Sequence, residues 1–322
     1  MDILAVTRSR TGVRKPFDVR VVLAFAAIYV LWGGTFLAIR IAVLEVPPLF
    51  ASGIRFFIAG GLLYVFMRLR GEPIPSAVQW RGIAIASLCM FVLTYAALFW
   101  AEQYLASGLT SVIEATLPII TVGLEVFAFR QQQFRWRTAA AVALGFCGVF
   151  VLLFRGSGHS FPTLPCMVVL AAGLAWSLGA VLTRSQPRPR SAALVAGAQM
   201  LLGGTVLLLL SAATGEMHIW PVVSTRAGIA LLYLIVPGSL IGFTAYLWLL
   251  TQMPATRVAS HAYVNPLVAV ALGYFVAGEP LTPRMLLAAA LVVTGVFLLL
   301  RAPQVPRPQV SSSPRRATQW QY

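Results

Sequence analysis

Acidic residues are scarce in this chain: nine Asp and Glu among 322 residues, against 24 Lys and Arg. With 10% of residues charged and 59% hydrophobic, too little polar surface exists to keep a domain of this size in water. The solvent is therefore largely lipid. Cysteine is equally thin. Cys89, Cys147 and Cys166 each fall inside an apolar run, none belongs to a CxxC pair, and the odd number suits no disulfide framework. They read as small packing residues. No GxxxxGK[ST] loop is present, which argues against an ATP-driven pump. No motif points to a cofactor or a metal ion.

The excess of positive charge, formally +15 with a pI near 11.0, would in a soluble chain suggest nucleic acid. Its placement argues otherwise. The basic residues sit between long apolar runs, and no zinc-finger, RNA-recognition or helix-turn-helix pattern accompanies them. The expected partner is a lipid bilayer, not a nucleic acid. Residues 1–20 are basic (Arg8, Arg10, Arg14, Lys15, Arg20), but the run from Val21 to Ile39 is too long for a signal-peptide core and continues to Arg40. It reads as a first membrane span.

A span needs about 20 mainly apolar residues to cross roughly 30 Å of hydrocarbon. Ten stretches qualify: 20–39, 48–67, 82–101, 107–129, 138–154, 164–183, 191–213, 227–250, 257–277 and 284–300. Basic residues stay on the cytoplasmic side during insertion. Threading the ten stretches alternately places nineteen of the 24 on one side, against Arg40, Arg155, Arg226 and Arg284 on the other, with Arg55 inside a span. Both termini are expected in the cytoplasm. The tail from Ala302 to Tyr322, rich in Pro, Ser, Gln and Arg, cannot bury enough apolar surface to order itself.

The two halves match at a near-constant offset. Leu31-Trp32-Gly33 answers Ala175-Trp176-Ser177, and Gly53-Ile54-Arg55 with Gly60-Gly61 answers Gly197-Ala198-Gln199 with Gly203-Gly204. Trp100 answers Trp248, Pro118 answers Pro266, and Gly148-Val149-Phe150 answers Gly295-Val296-Phe297. Each repeat is five helices long. An odd number puts the second copy upside down, so the expected fold is an all-α membrane protein of ten transmembrane helices in two inverted five-helix repeats. The expected units are a basic N-terminus (1–19), a first repeat (20–155), a second repeat (163–301) and the tail (302–322). Two such halves can exchange conformations and expose a central site to either side in turn.

Several short motifs carry a family likeness: Leu31-Trp32-Gly33-Gly34-Thr35, Pro47-Pro48 before Gly53-Ile54-Arg55-Phe56, Ala101-Glu102, Gly238-Ser239-Leu240-Ile241-Gly242, and Ala262-Tyr263-Val264-Asn265-Pro266 followed by Gly278-Glu279. Together they resemble the drug/metabolite transporter superfamily, its EamA branch, and within it the YedA-like bacterial inner-membrane transporters. The resemblance runs over almost the whole chain. It implies two EamA repeats around a central cavity, and export or exchange of small metabolites, including amino acids and some drugs. Two positions depart from the pattern. The acidic residue expected after the fourth span is Gln131 in the first repeat, where the second has Glu279. Glu114 stands where the family usually has a small or apolar residue.

Ionisable groups at membrane depth are costly unless paired or wetted, so they are candidates for function. Arg55, Glu114 and His261 qualify. Arg55 and Glu114 lie at similar depth in the second and fourth spans and could form an ion pair. That pair could be a fixed strut, or it could break during transport as Glu114 takes a proton or a cationic substrate and Arg55 holds a substrate carboxylate. His261 could relay a proton or simply pack. Trp32, Tyr95, Trp100, Trp176, Tyr246 and Tyr263 offer aromatic faces for a flat or cationic solute. Asn265-Pro266 and Leu117-Pro118 place prolines inside spans, where each frees a carbonyl and makes a kink or hinge. Gly238 to Gly242 reads as a small-residue helix contact.

The expected function is a secondary transporter of a small metabolite or drug-like solute, with possible proton coupling, acting as a monomer or homodimer. A channel would need a filter or a charged ring, and neither is apparent. An intramembrane enzyme would have only Ser111 and His261 as crude candidates, at opposite membrane sides.

Overall fold

The computed structural model describes residues 18–105, 107–153, 162–218, 223–268 and 283–301. The basic N-terminal segment, Glu279 and the tail lie outside the described residues. Among these the chain is helical: α1 Val19–Val43, α2 Pro48–Leu69, α3 Ala77–Ala101, α4 Ser107–Glu114, α5 Leu117–Ala128, α6 Trp136–Leu153, α7 Thr163–Ser185, α8 Ala192–Ala213, α9 Thr225–Gln252, α10 Ala255–Val258, α11 261–268 and α12 Pro283–Arg301.

Local chemistry sets many of these boundaries. Ser76 and Gln79 form a reciprocal capping box at the start of α3. Ser191 and Ser224 accept amides in the first turns of α8 and α9. Pro48 opens α2, where its missing N–H costs nothing. Gly71 and Gly215, at φ 86° and 80°, follow α2 and α8 in the left-handed region that glycine tolerates.

Among the described residues six helices are long and apolar enough to cross a membrane: α1, α2, α3, α7, α8 and α9. The other expected spans correspond to shorter or broken apolar helices. The fourth is split at Ala115–Thr116, just before Pro118, so α4 and α5 are separate pieces. The ninth begins as α10, turns at Ala259–Ser260, and resumes as α11, which carries Pro266; the rest of that stretch lies outside the described residues. Large apolar side chains such as Leu69, Phe127 and Leu209 face outward, as a lipid-facing surface requires.

Small residues bring helix backbones into contact. A Cβ on Gly60 of α2 would stand 2.2 Å from the Leu201 nitrogen of α8, and one on Gly204 of α8 would stand 2.3 Å from the Phe57 nitrogen of α2. The two approaches are reciprocal: residues 60 and 204 are as far apart in sequence as 57 and 201. The same holds for α6 and α12, where Gly148 abuts Val292 and Gly295 abuts Gly145. The chain also pairs α1 with α9, and α3 with α7.

Three π-helical segments break the regular ladder among the described residues, Leu88–Leu93 in α3, Leu124–Ala128 in α5 and Val236–Ile241 in α9. Such segments redirect side chains and often mark functional positions. All three cysteines are free. Cys89 is buried, but Cys147 is exposed, so the packing role expected from sequence does not hold for it.

Candidate functional site

The break between Glu114 and Leu117 and the break before His261 border a small half-open cavity. Its aromatic wall is built from two spans that occupy matching places in the sequence. Trp32 of α1 and Trp176 of α7 meet edge to face at 5.6 Å and 80°. Trp32 is held by its indole N–H, which donates to the Gly238 carbonyl in the α9 π segment at 2.9 Å. His261 of α11 stands edge-on to Trp32 at 4.8 Å, and Tyr246 packs behind both indoles at 5.1 Å.

The polar atoms facing this space are short of partners. Glu114 Oε1, both ring nitrogens of His261 and Asn265 Oδ1 are buried with no hydrogen bond to protein. Buried polar groups without partners are rare and expensive. The lining hydroxyls are different: Thr35 donates to the Trp32 carbonyl at 2.7 Å and Thr94 to the Cys89 carbonyl at 2.9 Å.

Arg55 is 1% exposed and turned toward α9. Its Nε donates to the Leu234 carbonyl at 3.1 Å and to Ser239 Oγ at 2.8 Å, while Ser239 donates to the same carbonyl at 2.7 Å. The guanidinium also lies over the rings of Phe56 at 4.6 Å and Tyr95 at 5.1 Å. No ion pair joins Arg55 to Glu114 in this conformation, contrary to the strut considered from sequence. Similar depth in the membrane does not ensure contact, and the guanidinium finds its acceptors on α9 instead.

Of the expected site residues, Trp32, Tyr95, Glu114, Trp176, His261 and Asn265 line the cavity. Arg55 and Tyr246 stand against the aromatic wall without being part of the lining. Trp100 instead packs on Tyr104 at 5.0 Å. Tyr263 is buried in a separate apolar cluster with Ala115, Val149 and Val292, and its hydroxyl donates to the Val142 carbonyl at 2.8 Å. Pro118 sits at the start of α5, next to the cavity residue Leu117. Ser111 gives its hydroxyl proton to the Gly108 carbonyl at 2.7 Å, and no hydrogen bond links it to His261.

Sequence reasoning overlooks Glu125. This carboxylate in α5 accepts the Ala255 amide at 2.8 Å, the Thr256 amide at 3.3 Å, the Thr256 hydroxyl at 2.6 Å and the Gln132 side chain at 2.5 Å. It thus caps the first turn of α10. The available signal was a carboxylate inside an apolar run, together with the helix-start pattern of Pro254-Ala255-Thr256. Glu45 caps α9 through Ser224, and Glu216 accepts the Phe50 amide near the start of α2 at 3.0 Å. Gln131, where the family pattern has an acid, donates to Ser185 Oγ at 2.6 Å.

The profile of the EamA-like transporter family matches residues 19–154 and again residues 163–301. The chain belongs to that family. It is 32% identical over 279 residues to the uncharacterized inner membrane transporter YedA of Escherichia coli K12, which spans 86% of this chain and 89% of the relative. It is 26% identical to a Salmonella typhimurium LT2 protein named as a probable amino-acid metabolite efflux pump, over 84% of this chain and 91% of that one. A solved crystal structure with 19% sequence identity superimposes with a TM-score of 0.70 over 87% of this chain and 96% of that one, so the two share a fold. This EamA-like transporter is a multi-pass membrane protein with bacterial inner-membrane relatives.

Proposed function

We propose that this EamA-like protein is a secondary transporter of ten spans in two inverted halves, 20–155 and 163–301. It moves a small metabolite or drug-like solute by alternating access, with both termini in the cytoplasm. The reciprocal glycine contacts of α2 with α8 and of α6 with α12 support the two-fold arrangement. The observation that carries the functional reading is Glu114: a buried carboxylate on a broken helix, facing a half-open cavity, with one oxygen lacking any protein donor. A carboxylate in that setting is suited to binding a proton or a cationic group for part of a cycle and releasing it when the surroundings change.

The relative named as an amino-acid metabolite efflux pump makes amino acids and related amines the first solutes to try. In liposomes reconstituted with the purified protein, counterflow of a labelled solute against an unlabelled excess marks a carrier, and its absence across the whole panel counts against one. Glu114→Gln is expected to lose the response to a pH gradient. A variant that behaves like the wild type removes Glu114 from the mechanism.

A further inference from the structure

We infer that the cavity selects a small organic monocation that carries no carboxylate, an inference that rests on the transporter reading above. Among the described cavity-lining side chains the one formal charge belongs to Glu114. Asn265 Oδ1 is a second unpartnered acceptor, and His261 adds one acceptor and one donor in its neutral form. The π faces of Trp32, Tyr95 and Trp176 attract an ammonium group and are indifferent or repulsive to an anion.

None of the described lining side chains is a cation that would hold a solute carboxylate. Arg55 is not part of the lining; its Nε donates to Leu234 and Ser239, and its unpartnered Nη1 is buried outside the lining set. The Thr35 and Thr94 hydroxyls donate to main-chain carbonyls. A zwitterion would therefore bring a second negative charge beside Glu114 with no cation among the described lining side chains to offset it, a costly arrangement.

The test uses three solutes with one phenyl body and different charge: phenethylamine, phenylalanine and phenylpropionate, titrated calorimetrically into the purified full-length protein. The expected order is the amine first, phenylalanine weaker by about tenfold or more, and no binding of phenylpropionate. Glu114→Gln should weaken the amine by about tenfold or more and flatten the order. Phenylalanine binding as tightly as the amine overturns the inference, as does a folded Glu114→Gln protein with undiminished amine affinity. The ranking in the wild type needs no variant. Heat from none of the three also overturns it, while counterflow of another solute would leave the carrier reading standing.

Discussion

Thr256 donates its hydroxyl to Glu125 at 2.6 Å, fastening the first turn of α10 to the end of α5 across more than a hundred residues of sequence. With the Ala255 amide at 2.8 Å on the other oxygen, the carboxylate anchors the strand of structure that leads directly to His261 and Asn265. Glu125→Ala would leave these buried donors without an acceptor, a loss of roughly 2–3 kcal/mol. The expected result is a clearly lower melting temperature in detergent and a smaller fall for Glu125→Gln, which can still accept from Thr256. Equal melting of all three proteins would remove the anchoring role.

The contact between α2 and α8 makes a sharper prediction about two adjacent glycines. A Cβ on Gly60 would stand 2.2 Å from backbone, whereas one on Gly61 would meet Leu201 at an ordinary 3.8 Å. Gly60→Ala should therefore force the helices apart and cost about 1–3 kcal/mol or more. Gly61→Ala should be nearly neutral. Monodisperse yield on size-exclusion chromatography separates them.

Arg130, just after α5, has φ 49°. Its counterpart in the second half of the sequence is Gly278, twelve residues after Pro266 as Arg130 is twelve after Pro118. A side chain in the left-handed region is strained, so Arg130→Gly should raise stability or at least leave it intact despite the added freedom of the unfolded chain, within about 1 kcal/mol. Arg130→Val should lower it. Thermal melts of the pair give the sign.

Glu45 lies in the turn between α1 and α2 and accepts the Ser224 amide and hydroxyl, both at 2.8 Å. Those two bonds, with a lesser contribution from Arg226, hold its carboxyl below its ordinary value of 4.5. A depressed carboxyl adds stability above its unfolded value and loses it as pH falls through the lower folded value. The gap in melting temperature between wild type and Glu45→Gln should be full near neutral pH and close under more acidic conditions. A gap that is constant with pH would mean the ionised form is not what Ser224 recognises.

The helix starts rest on local chemistry, with Pro48, Ser76, Ser191 and Ser224 all acting within one turn, yet apolar runs alone place two of them late, at 82 and 227 where α3 and α9 begin at Ala77 and Thr225. The repeat was visible, since Gly60 and Gly204 are small for a reason that both halves share. The side chains around the cavity were legible in kind but not in direction. In a span that is apolar all round, periodicity does not reveal the inward face, so Tyr263 looked as eligible as Tyr95 and yet points elsewhere. The π segments leave no such pattern at all, and one of them supplies the carbonyl that holds Trp32. For Arg55 and Glu114 the sequence offers depth alone, which does not show that the guanidinium meets Leu234 and Ser239 of α9.

Glu45 reaches Ser224, Glu125 reaches Thr256 and Glu216 reaches the Phe50 amide, so each of these acids ties a residue before position 155 to one after 163. In a chain with nine acids, three are used as fasteners between the halves. On the alternating-access reading proposed above, a rocking motion of the halves would have to undo some of these fasteners and let water take their place. On that reading they would act as a brake on turnover as well as a source of shape, and loosening one should make the cycle faster, less temperature-sensitive and leakier.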